Sequence, residues 1–150
     1  MSVQAEEHPK SAQHAFLRQL FAQAGYHNHL GLELEEVSLD KLSVKLHNKP
    51  ELRSGRQILH GGAIASLVDA VGVFHAGVAA RANISAGDTS RVFRMATIDL
   101  HLDYLRPPSG ESFVASSAVV YAGSSIIRIR VEVVDDAGTL IAVASANYSY

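Results

Sequence analysis

Asp69 stands eight positions after Gly61 (69 minus 61), in a stretch where almost nothing else is polar. Over residues 61–80 it is the only side chain certain to be charged at neutral pH, and His75 is the only other titratable one. The stretch reads as a helix opening at His60-Gly61-Gly62. The first amides of a helix lack internal partners and carry the positive end of its dipole, so they can hold negative charge developing on a carbonyl oxygen. Glycine at that point permits close approach. Eight helical residues advance about 12 Å, roughly two turns, enough for a planar acyl group and its attacking water to bridge amide and carboxylate. The chemistry these groups could support is addition of water to a polarised acyl carbonyl lying between the helix amides and the Asp69 carboxylate.

The surrounding residues sharpen this. Gly62, Ala65, Ser66, Asp69, Gly72, Val73 and Ala76 recur at spacings of three and four and form one narrow face, while Ile64, Leu67, Val68, Val71 and Phe74 hold the bulk on the other. Small residues beside a carboxylate leave room for a ligand, so Asp69 is expected to face a cleft. From the residues alone, a buried carboxylate that merely pins the helix carries equal weight. His60 by itself reads as a helix cap, and His75 as a structural group. His27-Asn28-His29 suggests a metal pair, but no third ligand lies near in sequence, so a loop with two solvated imidazoles is expected, and no metal site. Arg91, Arg94, Arg106, Arg128 and Arg130 are suited to phosphates, yet each reads equally well as an ordinary solvated charge.

The elements that must position these groups follow from periodicity. After Pro9, Phe16, Leu17, Leu20, Phe21 and Ala24 share a helical face over residues 11–24, and Gly25 reads as the stop. Residues 32–37 and 41–47 alternate as a strand pair, and 48–59 and 85–94 read as loops. Then Thr97, Asp99, His101 and Asp103 alternate with Ile98, Leu100, Leu102 and Tyr104, residues 112–122 form a further strand, and Ile127 to Val133 alternate with Arg128, Arg130 and Glu132. The turn at residues 135–138 leads into a last strand over 139–150, so the last three strands form an antiparallel meander. One long helix with hardly any polar face, and five or six strands, leave one solution: an α+β hotdog fold, an antiparallel sheet wrapped around a single central helix. The helix flank left uncovered calls for a second copy of the chain.

Composition closes off other classes. With 150 residues, 47% hydrophobic and 19% charged, the sequence suits one domain over residues 1–150, with 1–29 as an N-terminal arm and helix. Zero cysteine rules out disulfides, thiolate nucleophiles and cysteine zinc sites, and fits a reducing cytoplasm. Residues 1–10 carry charges and no apolar run, unlike a signal peptide. A net charge of −2 spread along the chain offers nucleic acid no footprint. Residues 61–80 are long enough for a membrane span, but an aspartate at its centre costs about 2.5 to 3.5 kcal/mol on insertion scales, so no membrane is expected. Nucleophile-elbow, phosphate-loop and dinucleotide motifs are all missing.

His60-Gly61-Gly62, six variable positions and then Asp69 resembles the signature of the hotdog acyl-CoA thioesterases of the phenylacetate-pathway type, and the likeness runs on through Asp99-Leu100-His101-Leu102-Asp103-Tyr104-Leu105-Arg106-Pro107 to cover roughly residues 30 to 150. The resemblance implies an acyl-CoA substrate, no metal or redox cofactor, and a homodimer, often paired into a dimer of dimers, with each site between two subunits. It implies the Gly61 amide as the oxyanion donor, Asp69 as base or nucleophile, His60 as an orienting group, and Thr97 as a group holding the water. Ser54, Gly62 and Ser66 would contact substrate. Some relatives carry Asn where this chain has Ser54, six positions before His60. A hotdog dehydratase with a His60 and Asp69 pair, and a non-catalytic acyl-CoA binding protein, are the alternatives; the missing proline-rich approach to His60 disfavours the dehydratase.

Overall fold

The apolar run after His60 forms a helix of 23 residues, α3 (Gly61–Asn83), three residues longer than the stretch that its composition marked. It is the central element of a computed structural model that describes residues 9–84 and 89–150. Its start is fixed from both sides. The backbone N–H of Leu59 donates to Pro108, and that of His60 to Leu52, so the chain enters the helix already tied to two loops. His60 is the N-cap, extended at φ −68° and ψ 138°, and its side chain accepts from the Gly62 amide.

Six strands form one fully antiparallel sheet: β1 (Glu33–Val37), β2 (Leu42–His47), β3 (Ala96–Tyr104), β4 (Ser112–Ala122), β5 (Ile126–Asp135) and β6 (Leu140–Ser149). Their order is β1-β2-β4-β5-β6-β3, so β3, the first strand after the helix in sequence, closes the far edge. The alternation of β5 has a physical outcome: Ile127, Ile129, Val131 and Val133 are buried under the helix, whereas Arg128, Arg130 and Glu132 face solvent. Ile64, Leu67, Val68 and Val71 of α3 meet that face with no exposure at all. This is the expected sheet wrapped around one helix. The free edge strand β3 is long and mostly exposed.

Several local expectations are corrected. The first helix, α1 (Pro9–Gln23), ends just before Gly25 as expected, but Gly25 opens a second short helix, α2 (Gly25–Leu30), where a loop was expected, so the helical region runs on past it. Gly31, at φ +71°, is the actual stop, because its left-handed backbone lets its N–H turn back to the carbonyls of α2. His27 and His29 are therefore helical, and His27 is half-buried, stacked between Phe21 (4.5 Å) and Phe74 (5.5 Å) rather than solvated in a loop. Phe74 consequently turns toward α1 and α2, away from the bulk that faces the sheet. The loop before α3 holds a 3₁₀ turn (Pro50–Leu52) and a bridge between Arg53 and Leu59. In the loop after it, residues 89–94 form a 3₁₀ helix, and 85–88 lie outside the described residues.

Candidate active site

Asp69 sits two turns into α3, partly exposed, on the side turned toward β3 and α2. The Thr97 hydroxyl at the start of β3 donates to its Oδ1 at 2.9 Å, and the Tyr148 hydroxyl on β6 donates to the same oxygen at 3.4 Å. Neither bond uses Oδ2. The carboxylate is thus held on one side and left with an acceptor for a water or a substrate. Around it lies a cleft of about 320 Å³ lined by Tyr26, His27, Ser66, Asp69, Val73 and Thr97. Ser66 bonds the Tyr26 hydroxyl at 2.7 Å and donates to the Gly62 carbonyl at 2.9 Å. Burial lowers the pKa of His27, with the nearby Asp69 charge pulling the other way, so the ring beside the carboxylate is mainly neutral at pH 7.

Tyr148 reaches Asp69 because position 72 has no side chain. Its ring is wholly buried, and a methyl group at Gly72 would collide with its hydroxyl. Gly72, expected on the cleft face, is buried for this reason, and Ala76 one turn further is buried too. Burial, followed by the charge of Asp69, pushes the Tyr148 phenol far above its ordinary value, so it remains a donor at every working pH.

The helix start forms a second cleft of about 460 Å³, lined by Ser54, Arg56, His60, Gly61, Tyr104 and Arg106 among others. Here the amides divide their labour. Gly62 gives its N–H to His60 Nδ1 at 2.8 Å, so that amide is spent on the cap, and the ring proton of a neutral His60 must sit on Nε2. Gly61, at the first helical position, has no intrahelical partner for its N–H. The Tyr104 hydroxyl donates to the Gly61 carbonyl at 2.6 Å and its ring lies over the glycine, where an added Cβ would come within 3.3 Å of the phenol oxygen. Burial raises the Tyr104 pKa and keeps it protonated.

The site residues that sequence singled out therefore gather in two groups: Ser66, Asp69 and Thr97 around the carboxylate, and Ser54, His60 and Gly61 at the helix start, with Gly62 between them as a capped amide. Tyr148, Tyr104, Tyr26 and His27 were not anticipated. Tyr148 belongs to a buried alternating strand and reads as core; the available signal was Gly72, a mid-helix glycine that costs about 1 kcal/mol against alanine and so needs a packing reason. Among the arginines, Arg91 is taken up by the carbonyls of Ser124 and Tyr150, and Arg106 by that of Leu140. Among the described residues no cluster of three metal-ligating side chains is found.

One helix wrapped by a six-stranded antiparallel sheet is the hotdog fold, here with a carboxylate two turns into the helix and a free amide at its start. The family model of the thioesterase superfamily matches residues 56–142, which include Gly61, Asp69 and Thr97. The medium/long-chain acyl-CoA thioesterase YigI of Escherichia coli K12 is 38% identical over 125 residues, 79% of this chain and 81% of that protein. A Shewanella oneidensis structure described as related to the thioesterase superfamily is 32% identical, with a TM-score of 0.86 over 94% of this chain and 97% of that one. The E. coli PaaI protein from the phenylacetic acid degradation operon shares the fold, with a TM-score of 0.76 over 93% of this chain and 92% of its own at 18% identity. The chain belongs to the thioesterase superfamily, and it is a thioester hydrolase.

Proposed function

We propose that the protein hydrolyses acyl-CoA thioesters of straight-chain acids, in a site that two copies of the chain build together. The observation that carries this is the one-sided anchoring of Asp69: with Oδ1 held by Thr97 and Tyr148, the other oxygen is aimed and unspent. In the reaction, water attacks the thioester carbon while Asp69 takes its proton. The carbonyl oxygen gains negative charge and accepts from the Gly61 N–H. When the C–S bond breaks, the thiolate of CoA leaves, and the proton held by Asp69 returns to it. No metal or redox cofactor enters these steps. The preference for straight chains is supported by the likeness to YigI, whose name gives medium and long chains, over the more distant PaaI. Arg56, exposed at the rim of the helix-start cleft, is placed to meet the CoA phosphates.

Within one chain the two halves of the site sit about 12 Å apart along the helix. Strand β3 links them: Thr97 at one end touches Asp69, and Tyr104 at the other touches Gly61. If two β3 edges pair antiparallel about His101, the bulge between Thr97 and Asp99 leaves Thr97 of each copy beside Tyr104 of the other. That brings the carboxylate of one subunit to the free amide of its partner. An exposed strand of nine residues is an edge that proteins seldom leave open, and Ile98, Tyr104 and Leu105 are about half exposed on or beside it.

Release of free CoA from a panel of acyl-CoAs tests the activity, and absence of any turnover would refute it. The shared site is tested by mixing two inactive variants, Asp69→Asn and Gly61→Val, under exchange conditions. A site shared across subunits regains about a quarter of wild-type activity, since half the dimers are mixed and each mixed dimer has one intact site. A site within one subunit regains none. Light scattering at micromolar concentration is expected to show at least a dimer.

A further inference from the structure

Beyond the Asp69 cleft, on the same face of α3, lies a third cavity of about 230 Å³. Its walls are apolar: Leu17 and Leu20 from α1, Val73 and Gly77 from α3, Val92 of the 3₁₀ helix and Met95 just after it. It adjoins the catalytic cleft, because Val73 lines both. Phe74, also on its wall, stacks on His27, which lines the cleft next door. Asp69, Val73, Gly77 and Arg81 follow one another at steps of four and so form a single stripe along the helix, running from the carboxylate, through the cavity, to a guanidinium at its far end.

Resting on the proposed acyl-CoA hydrolysis, we infer that this cavity is the tail channel of the site: the alkyl chain enters past Val73 and runs beneath α1 toward Arg81, and Gly77 sets how far it goes. The lengths agree. From Asp69 to Gly77 the helix advances about 12 Å, and from Asp69 to Arg81 about 18 Å. An extended alkyl chain, with bonds of about 1.5 Å at tetrahedral angles, advances about 1.25 Å per carbon. The channel therefore takes a straight chain of about ten to fourteen carbons. Each methylene buried strengthens binding about fourfold, the equivalent of about 0.8 kcal/mol, until the charged end at Arg81 is reached. Gly77 is buried in the wall, and a Cβ added there would meet Val92 at 3.8 Å, ordinary contact, so a side chain at this position fills the channel without forcing the helix aside.

The test measures binding and turnover separately. Asp69→Asn, which holds substrate without cleaving it, is titrated with saturated acyl-CoAs from four to sixteen carbons and with phenylacetyl-CoA. Affinity is expected to climb about fifteenfold for every two carbons, level off between ten and fourteen, and exceed that for phenylacetyl-CoA. Adding Gly77→Leu should move the plateau to shorter chains. In the otherwise wild-type enzyme the same change should lower the ratio of long-chain to short-chain kcat/KM at least tenfold; should the leucine variant not fold, Gly77→Ala shifts plateau and ratio the same way by a smaller amount. Affinity independent of chain length, tighter binding of phenylacetyl-CoA, or a plateau and ratio unmoved by either Gly77 variant would overturn the channel. If the wild type releases no CoA while the binding plateau and its shift are observed, the hydrolytic reading fails and the channel stands.

Discussion

Asp69 and His75 lie six residues apart on one helix, and both are polar groups in apolar company, yet their surroundings differ in kind. His75 is completely buried. Its Nε2 reaches the Leu39 carbonyl at 3.0 Å and its Nδ1 the Ser117 hydroxyl at 2.9 Å, so both nitrogens are used. Because a carbonyl only accepts, Nε2 carries the proton of the neutral ring, and Nδ1 shares the single Ser117 hydroxyl proton with the Leu42 carbonyl, 3.1 Å from that oxygen. Asp69 has its partners on a single oxygen and a cleft in front of it. A buried polar group with all its bonds closed specifies packing; one pinned on one side and open on the other can act on a ligand.

The strongest way to break this contrast is Asp69→Asn. The amide keeps the shape and loses the base, so kcat is expected to fall about 10²- to 10⁴-fold with little change in melting temperature. Retained activity within about tenfold, or a melting temperature that falls in step with activity, would place Asp69 beside His75 as a structural group.

Gly72→Ala ranks next, because it attacks the support of the carboxylate. The methyl has to displace the buried Tyr148 ring, at a cost of about 1 to 3 kcal/mol in stability, and the carboxylate loses one of its donors. Chemical denaturation and turnover should both decline; full stability would show that the ring has another resting place.

Thr97→Val and Tyr148→Phe then grade the two anchors. The shorter bond, from Thr97, is expected to be worth about 1.5 to 3 kcal/mol, and its loss to lower kcat by one to two orders of magnitude. The longer bond from Tyr148 should matter less, about 1 kcal/mol or about fivefold. The reverse order in steady-state kinetics would assign the main support of Asp69 to β6 instead of β3.

The smallest effect is graded with pH and belongs to His75. Burial lowers its pKa, against weaker upward pulls from Leu39, Asp40 and Ser117. An unfolded chain therefore binds a proton there more readily than the folded one, so the stability this site contributes is complete above about pH 6.5 and is lost as pH falls through the lowered value. Melting temperature should decline on acidification from pH 7.5 to 5, and His75→Gln should flatten that decline. Equal slopes in the two proteins would move the acid sensitivity to another group, His27 being the first to examine.

Periodicity and composition determined the class of fold. An apolar helix interrupted by one certain charge, and strands alternating with period two, admit little besides a sheet curled around a helix, because burial of the apolar residues leaves few arrangements. The same reasoning located Asp69, and the pair of glycines located the helix start, since both signals are local: a charge without a polar neighbour, and a backbone without side chains. What local signals do not carry is which strand lies beside which helix turn. Tertiary structure decided that β6 and β3 flank Asp69, that Tyr148 passes Gly72 to reach it, and that α2 sets Tyr26 and His27 over the cleft, where a loop was expected. These contacts join residues 28 to 79 positions apart in the chain. No pattern of a few residues encodes such pairings, because they arise when all the elements compete for one core and the few polar groups left inside must find the donors that reach them.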